Sequence, residues 1–438
     1  MSATEPRRIG ILAGGGGLPL EIAHCAHARG QPVHIVALDG EADAVFDPFT
    51  VTHVKWGQVG AILSAFKAAG SQDLVIVGRV KRPDPLKVRP DLGFFLAIAH
   101  VLKILASGGD DGVLRAVLRF FENKGLRVIG AGAAAPELVI GAGALGSIEP
   151  NSSAQDLIAL GFDTVRELGP HDVGQAVVIT NGRIEAIEAA EGTDALLDRV
   201  ADRRREAGGE RSGGARTGVL VKRPKPGQEL RIDMPAIGPE TVRRAAAAGL
   251  AGIAVLKGQV IAADRRRTMA LANELGVFVY GAEDLHAGKA TRRLRAVSLS
   301  LEQLGQTRIY RGALIDAQKA AGVLDSVDAV GAGRAVVVAR RYVLTVEAGE
   351  GIVPMLTRAG GLRQWGDARA RRRTGLAVLS SARDLDMAVI DAVVAAGLRG
   401  VVILETSAAP SLSAPVLERA NMRDVFIARG VSGKAGSP

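Results

Sequence analysis

A chain that repeats part of itself can fold only in ways that serve both copies. Here Val173–Gly192, VGQAVVITNGRIEAIEAAEG, aligns without gaps to Ala332–Gly351, AGRAVVVARRYVLTVEAGEG. Downstream, TGVLV at Thr217 returns as TGLAV at Thr374, AAGLAGIAVL at Ala247 as AAGLRGVVIL at Ala395, and FVYG at Phe278 as FIAR at Phe426. Short β-branched runs recur with helical stretches between them in one order, so both copies must build one kind of sheet. At 438 residues the chain should hold two or three domains. The predicted division is residues 1–135, a nucleotide-binding domain; 154–287, a catalytic domain of mixed α+β character; and 295–432, its degenerate repeat.

The copies differ most where chemistry would be expected. The step between the TGxxV and AAGLxG anchors is 30 residues in the first copy (217 to 247) and 21 in the second (374 to 395). The first reads VKRPKPGQELRIDMPAIG where the second reads VLSSARDLDMAVID, without the lysines, the prolines or a counterpart of Gln228. Asp386-Met387 mimics Asp233-Met234 but lacks neighbouring cations. Asn181-Gly182, the strongest short hairpin signal, becomes Arg340-Arg341. Glu347, Glu350 and Gly351 persist, matching Glu188, Glu191 and Gly192, which favours a structural role for that motif. The second copy is therefore expected to be catalytically inert and to pack on the first as a built-in partner.

The N-terminal segment has its own pattern. Arg8–Ala13 reads as a buried strand running into Gly14, Gly15, Gly16 and Gly17, then a helix from Leu18 to about Arg29, then the strand PVHIVALD. Strand, glycine turn, helix and strand make a βαβ unit, whose helix N-terminus offers backbone N–H groups to a phosphate. A dinucleotide fingerprint would need glycine at position 19, which is Pro19. That argues against a nicotinamide-dependent oxidoreductase and for a Rossmann-like parallel sheet holding a nucleotide diphosphate. Further strands at Asp73–Val77 and Leu126–Ile129 extend it. Arg79 and Arg82 after one strand, and Asp110, Asp111 and Arg115 after a helical stretch, would then sit where such sheets bind ligands. Helix capping explains Asp110 nearly as well.

The net charge of +9 admits nucleic acid, an anionic membrane or an anionic substrate. Aromatics make up 3% of the chain, so the basic clusters lack stacking platforms for a nucleic acid, and none is expected as a partner. Hydrophobic residues make up 47%, enough for Ala/Val/Leu cores. A single cysteine, Cys25, excludes an internal disulfide. MSATEPRR lacks a secretory layout, and GFFLAIAHVLKILA, from Gly93, is interrupted by His100 and Lys103. The expectation is a cytoplasmic protein, that apolar stretch being an interior helix.

Between the domains' β-rich runs lies TGVLVKRPKPGQELRIDMPAIG, Thr217–Gly238. A buried-type strand enters a loop that Pro224, Pro226, Gly227 and Pro235 keep irregular. Lys222, Lys225, Gln228 and Arg231 surround one acid, Asp233. Cations beside a rigid carboxylate suit a phosphate ester, the acid holding a metal or ordering a water. A solvated basic loop is the competing reading.

The pattern K-x-P-K-P-x-Q-x-x-R-x-D-x-P-x-I-G resembles the signature of the I-type UDP-2,3-diacylglucosamine diphosphatases of bacterial lipid A synthesis. Gly15–Pro19, the segment Gly78–Pro83, Gly109–Arg115 and E-x-x-E-G-T-D at Glu188–Asp194 resemble further family segments. The resemblance spans roughly residues 7 to 285. It implies hydrolysis of the substrate to UMP and 2,3-diacylglucosamine 1-phosphate (lipid X), with Asp233 catalytic and Mg²⁺ as the divalent metal it serves. It further implies that Lys222, Lys225, Gln228 and Arg231 assist, and that Gly14–Gly17, Leu18, Arg79, Arg82, Asp110, Asp111, Arg115, Glu188, Glu191 and Thr193 bind substrate. A lipid substrate brings peripheral contact with the inner membrane into view. The repeat leaves two assemblies open, a homodimer or an intrachain pseudo-dimer. The rival to an enzyme is a non-catalytic UDP-sugar or membrane-surface binding protein, which would bind without releasing UMP.

Overall fold

The computed structural model describes residues 6–80, 89–95, 110–208, 216–286, 298–362, 373–404 and 412–432. They form two compact units, one of residues 1–146, 227–242 and 255–274, the other of residues 147–226, 243–254 and 275–438. The central stretch is split between them at Pro226 and Gly227. The apolar stretch from Gly93 lies outside the described residues beyond residue 95.

The first unit holds a five-stranded parallel sheet of β1 (Ile9–Ala13), β2 (Val33–Leu38), β3 (Thr50–Val54), β4 (Asp73–Val77) and β5 (Arg127–Val128), in the order β3-β2-β1-β4-β5. Buried on both faces, such strands read as continuous apolar runs, as IGILA and VHIVAL do. Alternation sends Ile9, Ile11, Ile35 and Val75 into one core and Val36, Leu38 and Leu74 into another on the opposite face. The strand order reverses between β1 and β4, the switch point where doubly wound sheets bind ligands. Here the two chain ends nearly touch: a Cβ on Gly14 would stand 2.6 Å from the Arg79 carbonyl oxygen, and one on Gly78 2.7 Å from the Gly14 carbonyl carbon.

The second unit holds the second copy and, of the first, residues 147–226, 243–254 and 275 onward. In the first, Phe278–Ala282, Gly252–Leu256, Val219–Lys222, Ala176–Thr180 and Arg183–Ile187 lie side by side in that order. In the second the order is Phe426–Ser432, Gly400–Ile403, Leu376–Leu379, Ala335–Ala339 and Tyr342–Val346, with Leu299–Gln303 antiparallel outside Phe426–Ser432. The hairpin registers coincide too, Val177 facing Ile187 as Val336 faces Val346. Each has its irregularity at the equivalent step, Val178/Ile179 and Val337/Val338. A helix precedes each hairpin, Ser152–Leu168 and Ala313–Ala329, and the two helices pack together.

The segment AGIAVLKGQVIAAD reads as two β-rich runs about Lys257-Gly258, the pattern of a hairpin, yet Ile261–Ala262 pairs in parallel with Ala236–Ile237. The Ile261 N–H donates to the Pro235 carbonyl (2.9 Å), so the pairing fixes the backbone just after Asp233.

Candidate active site

Asp233 belongs to the first unit, in a loop that runs past Gly130 beyond the carboxyl end of β5. Its neighbours explain why. Ile232 packs on one core of the sheet and Met234 on the other, so the chain between them passes from one to the other. A Cβ on Gly130, just beyond β5, would lie 3.3 Å from the Arg231 Cα. Asp233 is thus pinned from both sides by its apolar neighbours and left half-buried.

Gln228 is a direct partner of Asp233. Its buried amide donates to Asp233 Oδ2 at 2.6 Å and to the Asp233 carbonyl at 2.8 Å. Arg231 is gripped by Glu229 through Nε and Nη2, both at 2.8 Å, and by Glu122 through Nη1 at 3.0 Å. These carboxylates raise the Arg231 guanidinium above its usual range, and Arg231 in turn holds Glu229 below the usual carboxylate range. Arg115, exposed, donates to the Gly227 carbonyl at 3.3 Å.

The glycine turn lies in the same unit. Gly15 and Arg79 exchange backbone hydrogen bonds, each 2.8 Å. The Arg79 Nε lies 3.9 Å from where a Cβ on Gly16 would stand, so the guanidinium borders the turn. Gly16 has φ 92°, a conformation that suits glycine, and its N–H donates to Asp43 Oδ1 at 2.6 Å. Leu18 opens the helix Leu18–Ala28, with Pro19 in its first turn. Asp110 and Asp111 begin the helix Asp110–Glu122, though their side chains, like the whole of Arg82, lie outside the described residues.

The second unit gathers another group. Lys222 ends its strand and is buried, donating from Nζ to Thr193 Oγ1 at 2.8 Å. Thr193 donates to Glu188 Oε1 at 3.3 Å, and the Gln175 N–H donates to Glu188 Oε2 at 3.1 Å. Burial pushes the Glu188 carboxyl up from its usual range, against the pull of Lys222. Thr193 opens the helix Thr193–Glu206, whose cap position is Gly192, at φ 82°, with no side-chain bond. The Thr193 hydroxyl turns inward, accepting from Lys222 and donating to Glu188. Lys225 pairs with Asp172, and Arg223 is anchored by Asp284 at 2.6 Å and over the Phe162 ring. Glu191 accepts from Arg199 and from Arg358.

Sequence reading passed over Glu229, Glu122, Asp43, Asp172 and Arg358. Glu229 carries a signal, since it lies inside the motif two residues from Arg231. The others are brought in by long-range packing that no local pattern announces.

Among the described residues no group of three or more His, Cys, Asp or Glu side chains is placed to hold a metal, and none contains a helix long and apolar enough to cross a membrane. Two family models match the chain, the LpxI N-terminal domain over residues 8–138 and the LpxI C-terminal domain over residues 141–280. The chain is also similar to the UDP-2,3-diacylglucosamine pyrophosphatase LpxI of Caulobacter vibrioides. The two are 39% identical over 277 residues, 63% of this chain and 98% of that protein. With the glycine turn, the Gln228–Asp233 pair and the Lys222 strand end all inside the matched residues, the chain belongs to the LpxI family.

Proposed function

We propose that the chain hydrolyses the diphosphate of UDP-2,3-diacylglucosamine to UMP and 2,3-diacylglucosamine 1-phosphate, in lipid A synthesis. The observation that carries the reading is a carboxylate, Asp233, clamped by a buried amide in a loop that runs past Gly130 beyond the carboxyl end of β5. The relative's activity supplies the substrate.

Water adds to one phosphorus, the P–O bond to the bridging oxygen breaks, and the proton lost from water leaves through a base. Asp233 takes the part of that base or of the group ordering the water, with Gln228 fixing its direction. Arg79 and the N-terminus of the helix Leu18–Ala28 offer a cation and helix-end N–H groups to the phosphates of a nucleotide. Arg115 adds charge on the same unit, and Arg231, tied to Glu229 and Glu122, holds the loop in shape. Lys222 acts from inside its own unit, fixing the strand end from which the loop departs, while Lys225 offers a less buried cation.

Mg²⁺ is commonly held by one or two carboxylates together with waters and substrate phosphates, and a single Asp233 fits that mode. When bound, it would offset charge on the diphosphate oxygens. A substrate with two acyl chains, together with the chain's excess of positive charge, favours work in the cytoplasm at the inner-membrane surface.

UMP release from UDP-2,3-diacylglucosamine, with and without Mg²⁺, tests the reading. Metal-dependent release is expected. Tight substrate binding with no release by the wild-type chain would instead identify a binding protein.

A further inference from the structure

Four charged side chains meet where the two copies touch, and they meet reciprocally. Arg199 donates to Glu191 in its own copy at 2.8 Å and to Glu350 in the other at 3.4 Å. Arg358 donates to Glu350 in its own copy and to Glu191 in the other at 3.0 Å. In the ungapped register of the repeat, Arg358 is the counterpart of Arg199 and Glu350 that of Glu191. The backbone follows the same rule: Arg199 also donates to the Ile187 carbonyl (3.1 Å) and Arg358 to its counterpart, the Val346 carbonyl (3.3 Å). Residue pairs exchanged in this way mark an isologous, two-fold face. The side chains are 12% and 14% exposed for the arginines and 4% and 2% for Glu191 and Glu350. Charges so buried persist only where paired and hydrogen-bonded. The Ala190 N–H adds a bond across the face to the Leu344 carbonyl, 3.4 Å.

We propose that the face carrying Glu191 and Arg199 is a self-pairing surface whose partner is a second copy of the same fold. This chain supplies that partner as its own C-terminal third, and Arg358 from it positions the Glu188–Thr193 segment. What the second copy keeps is the face; what it lacks is the chemistry. Leu379 stands opposite Ala335 where Lys222 stands opposite Ala176. Ile352 replaces Thr193. Asp386, the mimic of Asp233, caps a helix by accepting from the Val389 N–H at 2.8 Å. Glu347, the counterpart of Glu188, accepts from the N–H groups of Arg334, Gly349 and Gly351.

Arg358 reaches the first copy through Glu191, whose Oε2 accepts from the Ala189 N–H at 3.2 Å. Glu188 and Thr193 flank that bend, and Thr193 receives the Lys222 ammonium. Arg358 is therefore a positioning residue; only this part of the proposal rests on the proposed activity.

Hydrogen exchange of the full-length chain, wild type against Arg358→Met and Arg199→Met, tests the pairing without any substrate. Arg358→Met is expected to speed exchange at Ala189 and Ala190 about tenfold, and Arg199→Met to do the same at 349–351 in the other copy. Effects confined to the copy that carries each substitution would overturn the pairing. If Arg358→Met does not fold, Arg358→Lys, which cannot fork between two carboxylates, serves with a smaller expected effect at the same amides. For positioning, Arg358→Met should lower kcat about tenfold with KM unchanged, and Arg358→Lys should recover part of it. Faster exchange across the face with kcat unchanged would overturn that role and leave the pairing standing.

Discussion

The side-chain amide of Gln228 donates to both the carboxylate and the backbone carbonyl of Asp233, at 2.6 and 2.8 Å, so one residue sets both the position and the direction of the acid. Replacing it with glutamate puts a second carboxylate where the donor was. Like charges at that distance raise one carboxyl's pKa. Gln228→Glu should lower kcat by about 10²-fold at neutral pH and move the acid limb of the pH–rate profile upward. A pH–rate profile with an unmoved limb would separate Gln228 from the chemistry.

Lys222 is buried against Thr193, with the buried Glu188 beside it. Removing one partner of a buried charged group leaves the other uncompensated, at about 3–5 kcal/mol. Lys222→Met should therefore unfold at lower urea concentration, and adding Glu188→Gln should recover most of the loss. In the second copy, where Leu379 takes the lysine's place, the buried Glu347 is held instead by three backbone N–H groups.

His171 packs on Gly322 and bonds to Ser326 across the contact between the copies, at 2.9 Å. Burial first, then Lys319, lowers it from 6.5 to about 4, with Asp325 pulling the other way. Between those values the unfolded chain takes up a proton that the folded chain refuses. Stability from this group is complete above pH 6.5 and is lost as pH falls toward 4. His171→Gln should flatten the drop in melting temperature over that window.

Arg340 and Arg341 hold φ 53° and 69°, the left-handed turn that Asn181 and Gly182 adopt at 51° and 71° in the first copy. Left-handed backbone costs a residue with a Cβ about 1–2 kcal/mol. Part of that is offset where the Arg341 N–H donates to Asp316 Oδ1 at 2.7 Å. Arg340→Asn with Arg341→Gly should stabilise the chain by about 1 kcal/mol, read as a rise of about 2–4 °C in melting temperature.

That turn also shows where a sequence is legible. Asn181-Gly182 announces its hairpin because the residues themselves prefer the conformation, whereas Arg340-Arg341 adopt it only because the surrounding strands impose it. The β1 to glycine turn to helix pattern was readable for the same local reason, as were the buried runs Val219–Val221 and Val33–Leu38. The site was legible in its residue types, since Gln228, Arg231 and Asp233 stand in one short motif. Their arrangement was not. Ile261–Ala262 pairs with Ala236–Ile237 just after Asp233, Thr193 turns inward between Glu188 and Lys222, and Glu122 reaches Arg231 from the helix Asp110–Glu122. Each depends on a partner far away in the chain.

The central claim is that Asp233 serves the chemistry and not the binding of substrate. Single-turnover UMP release by Asp233→Asn, set beside its affinity for UDP-2,3-diacylglucosamine, tests this most directly. The expected result is affinity within a few-fold of wild type and release slower by 10²-fold or more, about the loss a positioned base incurs. Release within tenfold of wild type, with affinity intact, would contradict the assignment.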